Sequence, residues 1–353
     1  MPMVDAGNLV RRLMAKAARG SGLAPLVTAQ VAGIGAILTL RRVGTRKPGG
    51  PGIGIAEREV VSPAFLDQAL TELRRLGYRL VTLDDALERL KVGRKLPRFA
   101  TVTADIGYRD ILDEALPVLE RHGAPLTAYV SPGLASGAVD PWWDVLEALV
   151  ATAQEVYLTT REGRIPVDCS GPSRKLAAYR LLRDYLTADV AEEQRQPILR
   201  DLALLAGVDP KAAGKALMGW DELRRLAAHP LVTIGTHGLN HFNLRRLGDE
   251  KAWYEIVDAA RIIEMELGVK PRHLAYPYGD PDAFGPREVE LAAAAGHASA
   301  VTSVESSLWA EHARNLFALP RLRLDGPRQS LRDLHAMLAS IEGVEPARAA
   351  GSG

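Results

Sequence analysis

The stretch Phe99-Ala-Thr-Val-Thr-Ala-Asp-Ile-Gly107 is a short apolar run that ends abruptly in an acidic residue and a glycine. Runs of this length and composition are typical of buried strands. Similar runs recur along the chain and alternate with amphipathic helical segments; they lie at 36–40, 79–83, 125–130, 231–234, 273–276 and 297–302. Repeated strand–helix units predict parallel strands joined by right-handed crossovers.

Two α/β architectures have this pattern: a closed (β/α) barrel and an open doubly wound sheet. No Gly-x-Gly-x-x-Gly follows a strand, which counts against a dinucleotide-binding sheet. We interpret residues 1–35 as a helical lead-in and residues 36–140 and 229–330 as a distorted barrel. Residues 141–228 are read as a helical insertion, with helix starts at Pro172-Ser173 and Asp189, and 331–353 as a C-terminal helix and flexible tail.

The overall composition limits the classes of function that are expected for the chain. The chain has 353 residues, 47% of them apolar, which is ample for a large core. Its 44 basic and 43 acidic residues give a net charge of +1, so no nucleic-acid partner is expected. The single cysteine, Cys169, allows no intrachain disulfide. Basic residues interrupt the N-terminal apolar pattern, so we expect no signal peptide, no membrane span and a cytoplasmic location.

Asp105 follows the strand at 99–103 directly. An acidic residue at this place can cap the next helix. Alternatively, it is a carboxylate held rigidly at the mouth of a barrel, where it would act as a general base. The sequence leaves both interpretations open.

Two histidines, His237 and His241, begin at the end of the strand at 231–234 and are four residues apart. Neutral imidazole nitrogens at this spacing can converge on one metal ion, although the spacing also arises by chance. Asn240 between them would orient a ligand through a hydrogen bond.

The segment Tyr276-Pro277-Tyr278-Gly279 ends another strand. Proline stops the strand and glycine permits a tight turn, so the segment is either a plain strand ending or a functional loop. In the functional reading a backbone N–H faces a developing oxyanion, and the tyrosine rings line a cleft.

These three segments, in this order, resemble the polysaccharide deacetylase family, the NodB-homology domain. Its motifs read Thr-Phe-Asp-Asp-Gly, His-Ser/Thr-x-x-His and Pro-Tyr-Gly. The resemblance covers about residues 36–325, and the long spacing between the first two motifs resembles bacterial members with a helical insertion.

The resemblance implies metal-dependent hydrolysis of N-acetyl or O-acetyl groups on sugar polymers. A divalent metal, commonly zinc, would polarise both water and the acetyl carbonyl. By resemblance, Asp105 matches the base and His237 and His241 match the metal ligands. Tyr278 matches the residue whose backbone N–H helps to hold the oxyanion.

The chain also departs from the family pattern. Ile106 stands where the family has its metal-binding aspartate, and Ala104 replaces a bulky aromatic residue. Arg41 and Arg42 stand at a strand end where relatives often carry histidines. The late histidine of the family has no secure match; His335 is the nearest candidate, although a helix-surface histidine explains it as well.

Two further groups of residues are candidates for substrate contacts. Trp142 and Trp143 either stack on sugars near the cleft or begin a buried helix. Arg321 and Arg323, on a late strand, either pair with Asp105, hold substrate or face solvent.

Two functions from different classes follow. The first is a metal-dependent carbohydrate deacetylase acting on acetylated oligo- or polysaccharides; zinc is the expected divalent metal, and its binding is weakened or absent because Ile106 replaces a ligand. The second is a degenerate relative that only binds a glycan or a protein partner, favoured by the missing ligand and the paired arginines. An altered version of an active parent is a third reading.

Overall fold

The computed structural model describes residues 33–45, 52–160 and 163–339. Most of the predicted lead-in and the tail from residue 340 lie outside this part. Within it no helix is both long and apolar enough to cross a lipid bilayer. The strands are β1 Gly35–Leu40, β2 Arg42–Val43, β3 Val60–Val61, β4 Arg79–Leu80, β5 Phe99–Ala104, β6 Leu126–Val130, β7 Glu155–Thr160, β8 Gly163–Asp168, β9 Val232–Thr236, β10 His273–Ala275, β11 Ser299–Glu305 and β12 Leu319–Arg323.

The α-helices follow the strands in alternation over most of the chain. They are α1 Pro63–Arg75, α2 Leu83–Val92, α3 Leu116–Arg121, α4 Pro132–Ala135, α5 Trp142–Thr152, α6 Pro172–Asp184, α7 Glu192–Leu205, α8 Pro210–Gly214, α9 Trp220–Ala227, α10 Asp249–Leu267, α11 Pro286–Ala294 and α12 Leu331–Leu338. Short 3₁₀ turns lie at Ala56–Glu59, Gly93–Lys95, Leu244–Arg246 and Ala310–Arg314, and π-helical turns at Ile111–Ala115 and Tyr185–Asp189.

Seven parallel strands close into a barrel. The order β1-β12-β11-β10-β9-β6-β5 returns to β1, and β4 pairs with the start of β5. Leu38 of β1 lies opposite Val102 of β5 on one side and Leu322 of β12 on the other. All three side chains are buried in the core. The predicted (β/α) barrel is therefore confirmed.

Local signals explain the outer helices. Ser62 accepts a hydrogen bond from the Phe65 N–H and Pro63 occupies the first turn, so α1 begins there. Its leucines at 66, 70 and 73 share one face and are fully buried against the barrel.

Three predicted boundaries were wrong. The strand expected at 79–83 ends at Leu80, because Thr82 caps α2 by accepting from the Asp85 N–H. The helix start expected at Asp189 lies at Glu192, after the π-helical turn. The strand expected at 297–302 begins at Ser299 and continues to Glu305.

The insertion at 141–228 contains α5–α9 and also an antiparallel hairpin, β7–β8, that the purely helical interpretation missed. Most side chains of β8 are exposed and only Val167 is buried, so the segment lacks the alternating pattern that predicts a strand. The insertion has its own apolar core, in which Leu146, Leu149 and Leu182 are fully buried with Cys169.

Candidate active site

A cavity of about 950 Å³ opens at the carboxyl ends of the barrel strands. Side chains from the three sequence segments meet there, and Asp105, His237, His241 and Tyr278 all line it. The insertion forms one wall through residues of α5, α6 and α7. The closed barrel thus brings together residues that are up to 173 positions apart in sequence, because parallel strands end on one rim.

Asp105 is paired with Arg321. Both guanidinium Nη atoms donate to the carboxylate, at 2.7 Å to each oxygen. Arg321 is almost fully buried and also binds the Thr302 carbonyl and the hydroxyl of Thr39. Burial alone would raise the pKa of Asp105, but Arg321 outweighs it and holds the pKa below its ordinary value. Of the alternatives for Arg321, the structure therefore has the pairing with Asp105.

His237 lies beside this pair at the end of β9. Its Nδ1 is 2.8 Å from the carbonyl oxygen of Ala275. Since a carbonyl only accepts, Nδ1 carries the proton and Nε2 is left as an acceptor. Burial lowers the pKa of His237 and keeps its ring neutral, with Asp105 acting in the opposite direction.

His241 packs against His237, with 4.7 Å between the ring centroids. Its backbone has φ of +57°, which turns the ring back into the cavity. Burial holds the pKa of His241 well below its ordinary value, helped by the electrostatic coupling to His237 and by the positive charges of Arg41 and Arg195. Its Nδ1 is buried without a hydrogen-bond partner in the described residues, so one polar atom of the pair is left for a ligand.

The described residues do not fit a catalytic zinc ion. Among positions 33–45, 52–160 and 163–339, no three His, Cys, Asp or Glu side chains are grouped so as to hold a metal. A catalytic zinc takes three protein ligands, whereas the two histidines here have no third. The carboxylate of Asp105 is already hydrogen-bonded to Arg321. Arg41 and Arg195, which lower the pKa of His241, would also repel a metal cation bound beside that ring.

Ile106 explains the missing ligand. Its side chain is 4% exposed and packs in an apolar cluster with Tyr108, Leu134 and Trp143. Its φ is +78°, a left-handed conformation that is strained for a β-branched residue and easier for Asp, Asn or Gly. The backbone thus retains a conformation suited to aspartate although the side chain is apolar.

The segment at 276–279 contributes two residues to the cavity lining, Tyr276 and Tyr278. The ring of Tyr276 also packs in the core: it stacks on Phe284, and its hydroxyl donates to the Phe317 carbonyl at 2.9 Å. That Tyr276 contacts substrate stays a prediction. Pro277 is buried beside Gly238 and is not part of the cavity lining.

Tyr278 lines the same cavity. Its φ is +65°, and no described residue accepts a hydrogen bond from its backbone N–H. Its hydroxyl accepts from Trp142 Nε1 at 3.0 Å and from Arg195 Nη1 at 2.7 Å. Burial raises the pKa of Tyr278 to about 12, so the phenol is neutral.

The tryptophans at the start of α5 both line the cavity. Trp143 packs on His241 with centroids 4.9 Å apart, and its Nε1 donates to the Tyr108 hydroxyl at 2.7 Å. That hydroxyl in turn donates to Asp144. The ring of Trp142 is half-buried and retains area for a ligand.

Two arginines of the cavity wall, Arg41 and Arg195, are positioned by contacts with residues distant in sequence. The Arg41 guanidinium lies over the Trp143 ring at 4.7 Å and pairs with Glu59 at 2.9 Å. Arg195 comes from the insertion and binds the carboxylate of Glu192 one turn away. The sequence offered no signal for Arg195, because its contact with Tyr278 joins two segments 83 residues apart.

Two other residues considered in the sequence analysis, Asn240 and His335, do not line the cavity. Asn240 does not orient a histidine; its side chain and N–H bind Glu255 of α10, which fixes the loop. His335 lies on α12, and its Nε2 is 2.5 Å from Glu72. It is not among the cavity residues and is buried rather than on a helix surface.

Comparison with known proteins agrees with this geometry. Residues 185–299, which contain both histidines and Tyr278, match the model of the polysaccharide deacetylase family. The resemblance to polysaccharide deacetylases is confirmed. The family model does not reach the Asp105 segment, so the role of Asp105 rests on its position at the same rim.

Solved structures of deacetylases share the fold. The deacetylase PplD from Streptococcus pyogenes, in complex with acetate, is 15% identical with a TM-score of 0.56, over 86% of this chain and 97% of that one. IcaB from Ammonifex degensii is 16% identical with a TM-score of 0.51, over 88% and 98%. BC0361, a polysaccharide deacetylase from Bacillus cereus, is 13% identical with a TM-score of 0.51, over 87% and 69%. No curated protein matches the chain in sequence.

Proposed function

We propose that this chain removes acetyl groups from acetylated oligo- or polysaccharides at the barrel mouth, with Asp105 as the base. The observation that carries the proposal is the Asp105–Arg321 pair. Arg321 keeps the Asp105 carboxylate ionised, and the Asp105 side chain is 17% exposed. The carboxylate lies beside the neutral ring of His237 and lines the cavity of about 950 Å³. A carboxylate held in this way is able to take a proton from water.

In the proposed reaction the water oxygen bonds to the acetyl carbon while its proton passes to Asp105. The carbonyl oxygen gains negative charge, and the Tyr278 N–H, which has no partner in the described residues, donates to it. The bond between the acetyl carbon and the sugar atom then breaks. The sugar atom takes the proton from Asp105, and acetic acid leaves and loses its remaining proton to bulk water as acetate.

We further propose that zinc binds weakly or not at all, because the described part of the chain offers two imidazoles and no third ligand grouped with them. Without a metal to polarise the carbonyl, the acetyl group must be more reactive from the outset. An acetyl ester meets this condition better than an acetyl amide, whose carbonyl is stabilised by resonance. O-acetylated sugars are therefore the proposed preferred substrates.

A second function, glycan binding without hydrolysis, is favoured by Ile106. The apolar side chain removes a metal ligand yet leaves the cavity and its aromatic wall in place. In that case the cavity would retain the acetylated sugar and release no acetate.

The test is acetate release from O-acetylated and N-acetylated hexasaccharides, with and without a chelator. The variant Asp105→Asn should lose activity by about 100-fold or more. Asp201→Asn, an exposed change on α7, is the matched control and should not lose activity. Release that is unaffected by Asp105→Asn would overturn the assignment of the base.

Binding of the same sugars, followed by tryptophan fluorescence, separates the two functions. Binding together with acetate release supports the hydrolase. Binding without release from either substrate supports the second function. Thermal unfolding of each variant shows that it is folded.

A further inference from the structure

Three arginines of the cavity wall have no ion-pair partner among the described residues. Eight arginines and seven acidic side chains line the cavity, although the whole chain has a net charge of only +1. The count alone is nearly balanced, so the partners of each side chain decide what a ligand would meet.

The acidic side chains are almost all engaged. Glu59 is paired with Arg41, Asp105 with Arg321, and Asp325 with Arg328. Asp144 accepts from the Tyr108 hydroxyl, Glu147 from two backbone N–H groups, and Asp280 from the Asp282 N–H. Among the described residues, only Asp282 has a carboxylate in this wall that accepts no hydrogen bond.

Three of the arginines lack any such partner. The side chains of Arg58, Arg180 and Arg323 are exposed, and none makes an ion pair or a side-chain hydrogen bond within the described part of the chain. The remaining five are held by carboxylates, as for Arg41, Arg195 and Arg321. The guanidinium groups of Arg58, Arg180 and Arg323 are thus available to a ligand.

These three side chains come from three separate elements around one opening. Arg58 lies in the 3₁₀ turn at 56–59. Its backbone carbonyl accepts a hydrogen bond of 2.8 Å from the N–H of Gly326, which lies just beyond β12. Arg323 ends β12 and is close enough to Asp105 to lower its pKa. Arg180 lies on α6 of the insertion, next to Tyr179 of the same wall. The barrel and the insertion both contribute to the positive rim.

We propose that the glycan bound in this cavity is acidic, and that Arg58, Arg180 and Arg323 bind carboxylates of its sugar units. The proposal rests on the glycan-directed function proposed above and names its substrate class. A guanidinium matches a carboxylate through two parallel hydrogen bonds, which gives both affinity and orientation. Neighbouring sugar rings would lie against the half-buried face of Trp142.

The test uses two pairs of probes that differ only in charge. The first is a hyaluronan hexasaccharide, which alternates glucuronate with N-acetylglucosamine, and its carboxyl methyl ester. The second is an O-acetylated oligogalacturonate and its methyl ester. Calorimetry at low salt should give binding about tenfold tighter for the acid than for the ester in at least one pair. Salt should weaken binding of the acid and leave that of the ester nearly unchanged.

The triple variant R58Q/R180Q/R323Q should bring the affinity for the acid to within about threefold of that for the ester. The control R79Q/R225Q/R261Q removes the same charge at exposed positions outside the cavity and should leave the preference intact. Acid and ester binding equally would overturn the inference and leave the glycan-directed function standing. Binding of neither member of either pair would overturn both.

Discussion

Arg321 on the last barrel strand donates two hydrogen bonds of 2.7 Å to the carboxylate of Asp105, at the exit of β5. The same guanidinium group reaches β1 through Thr39 and β11 through the Thr302 carbonyl. One side chain therefore links four strands of the barrel and fixes the carboxylate that we assign as the base.

The losses of stability from removing the two members of this pair should not add, because each single change leaves the other member without its partner. Asp105→Ala leaves Arg321 charged, buried and unpaired, at a cost of about 3 to 5 kcal/mol in the free energy of unfolding. The double variant with Arg321→Met should lose clearly less than the sum of the two single variants. Urea unfolding of all four proteins measures this coupling, and strictly additive losses would contradict it.

Ile106→Asp should create a zinc site. The aspartate would supply a carboxylate beside the two histidines, and the left-handed backbone at this position suits it. After dialysis against dilute zinc, we expect about one metal per chain in the variant and little in the wild type. Ile106→Asn relieves the same backbone strain without the charge and is the control. Equal zinc in the wild type and Ile106→Asp would refute the prediction.

Stability should fall in mild acid because of His297. Burial lowers the pKa of this histidine to about 4, whereas in the unfolded chain it is about 6.5. Between these values the unfolded state binds the extra proton, so the stabilising contribution is present above the unfolded pKa and declines as pH falls. The full loss would be about 3 kcal/mol. In urea titrations between pH 7 and pH 4, His297→Gln should show a shallower decline than the wild type, and identical slopes would argue against it.

Alanine substitutions at two glycines should distinguish the stability cost of backbone strain from that of a steric clash. Gly279 and Gly296 both have positive φ, of +67° and +81°. A Cβ at Gly279 would lie 2.7 Å from the Ser303 nitrogen, whereas none of the described atoms lies within 4 Å of one at Gly296. Gly296→Ala should cost about 1 kcal/mol in stability from strain alone. Gly279→Ala should cost a further 1 to 3 kcal/mol or so. Equal losses of stability in thermal unfolding would contradict this prediction and show that the loop at Gly279 moves to accommodate the added Cβ atom.

The barrel and the main site residues were accessible from the sequence because strand ends are marked locally. An apolar run followed by Asp105, or by His237 and His241, places those side chains on one rim once the strands are known to be parallel. Tyr278 followed from the same rule.

What the sequence did not reveal depends on contacts between distant segments. Tyr276 and Tyr278 are of one residue type two positions apart and both line the cavity, yet only the fold shows their different partners: the Tyr276 hydroxyl bonds the Phe317 carbonyl, and the Tyr278 hydroxyl bonds Trp142 and Arg195. Arg195 and Arg180 lie in the insertion, whose packing on the barrel no local pattern encodes. The hairpin β7–β8 was missed because its outward faces are largely polar and exposed.

The closure of the barrel also has a consequence for the order in which the site is assembled. Asp105 emerges early in synthesis, but its counter-charge is 216 residues later in the chain. Until β12 docks between β1 and β11, the carboxylate has no guanidinium beside it and the ring has an open seam. A nascent or truncated chain would therefore carry the histidines and the aromatic wall without an organised base, so the reaction centre is completed only when the final strand takes its place.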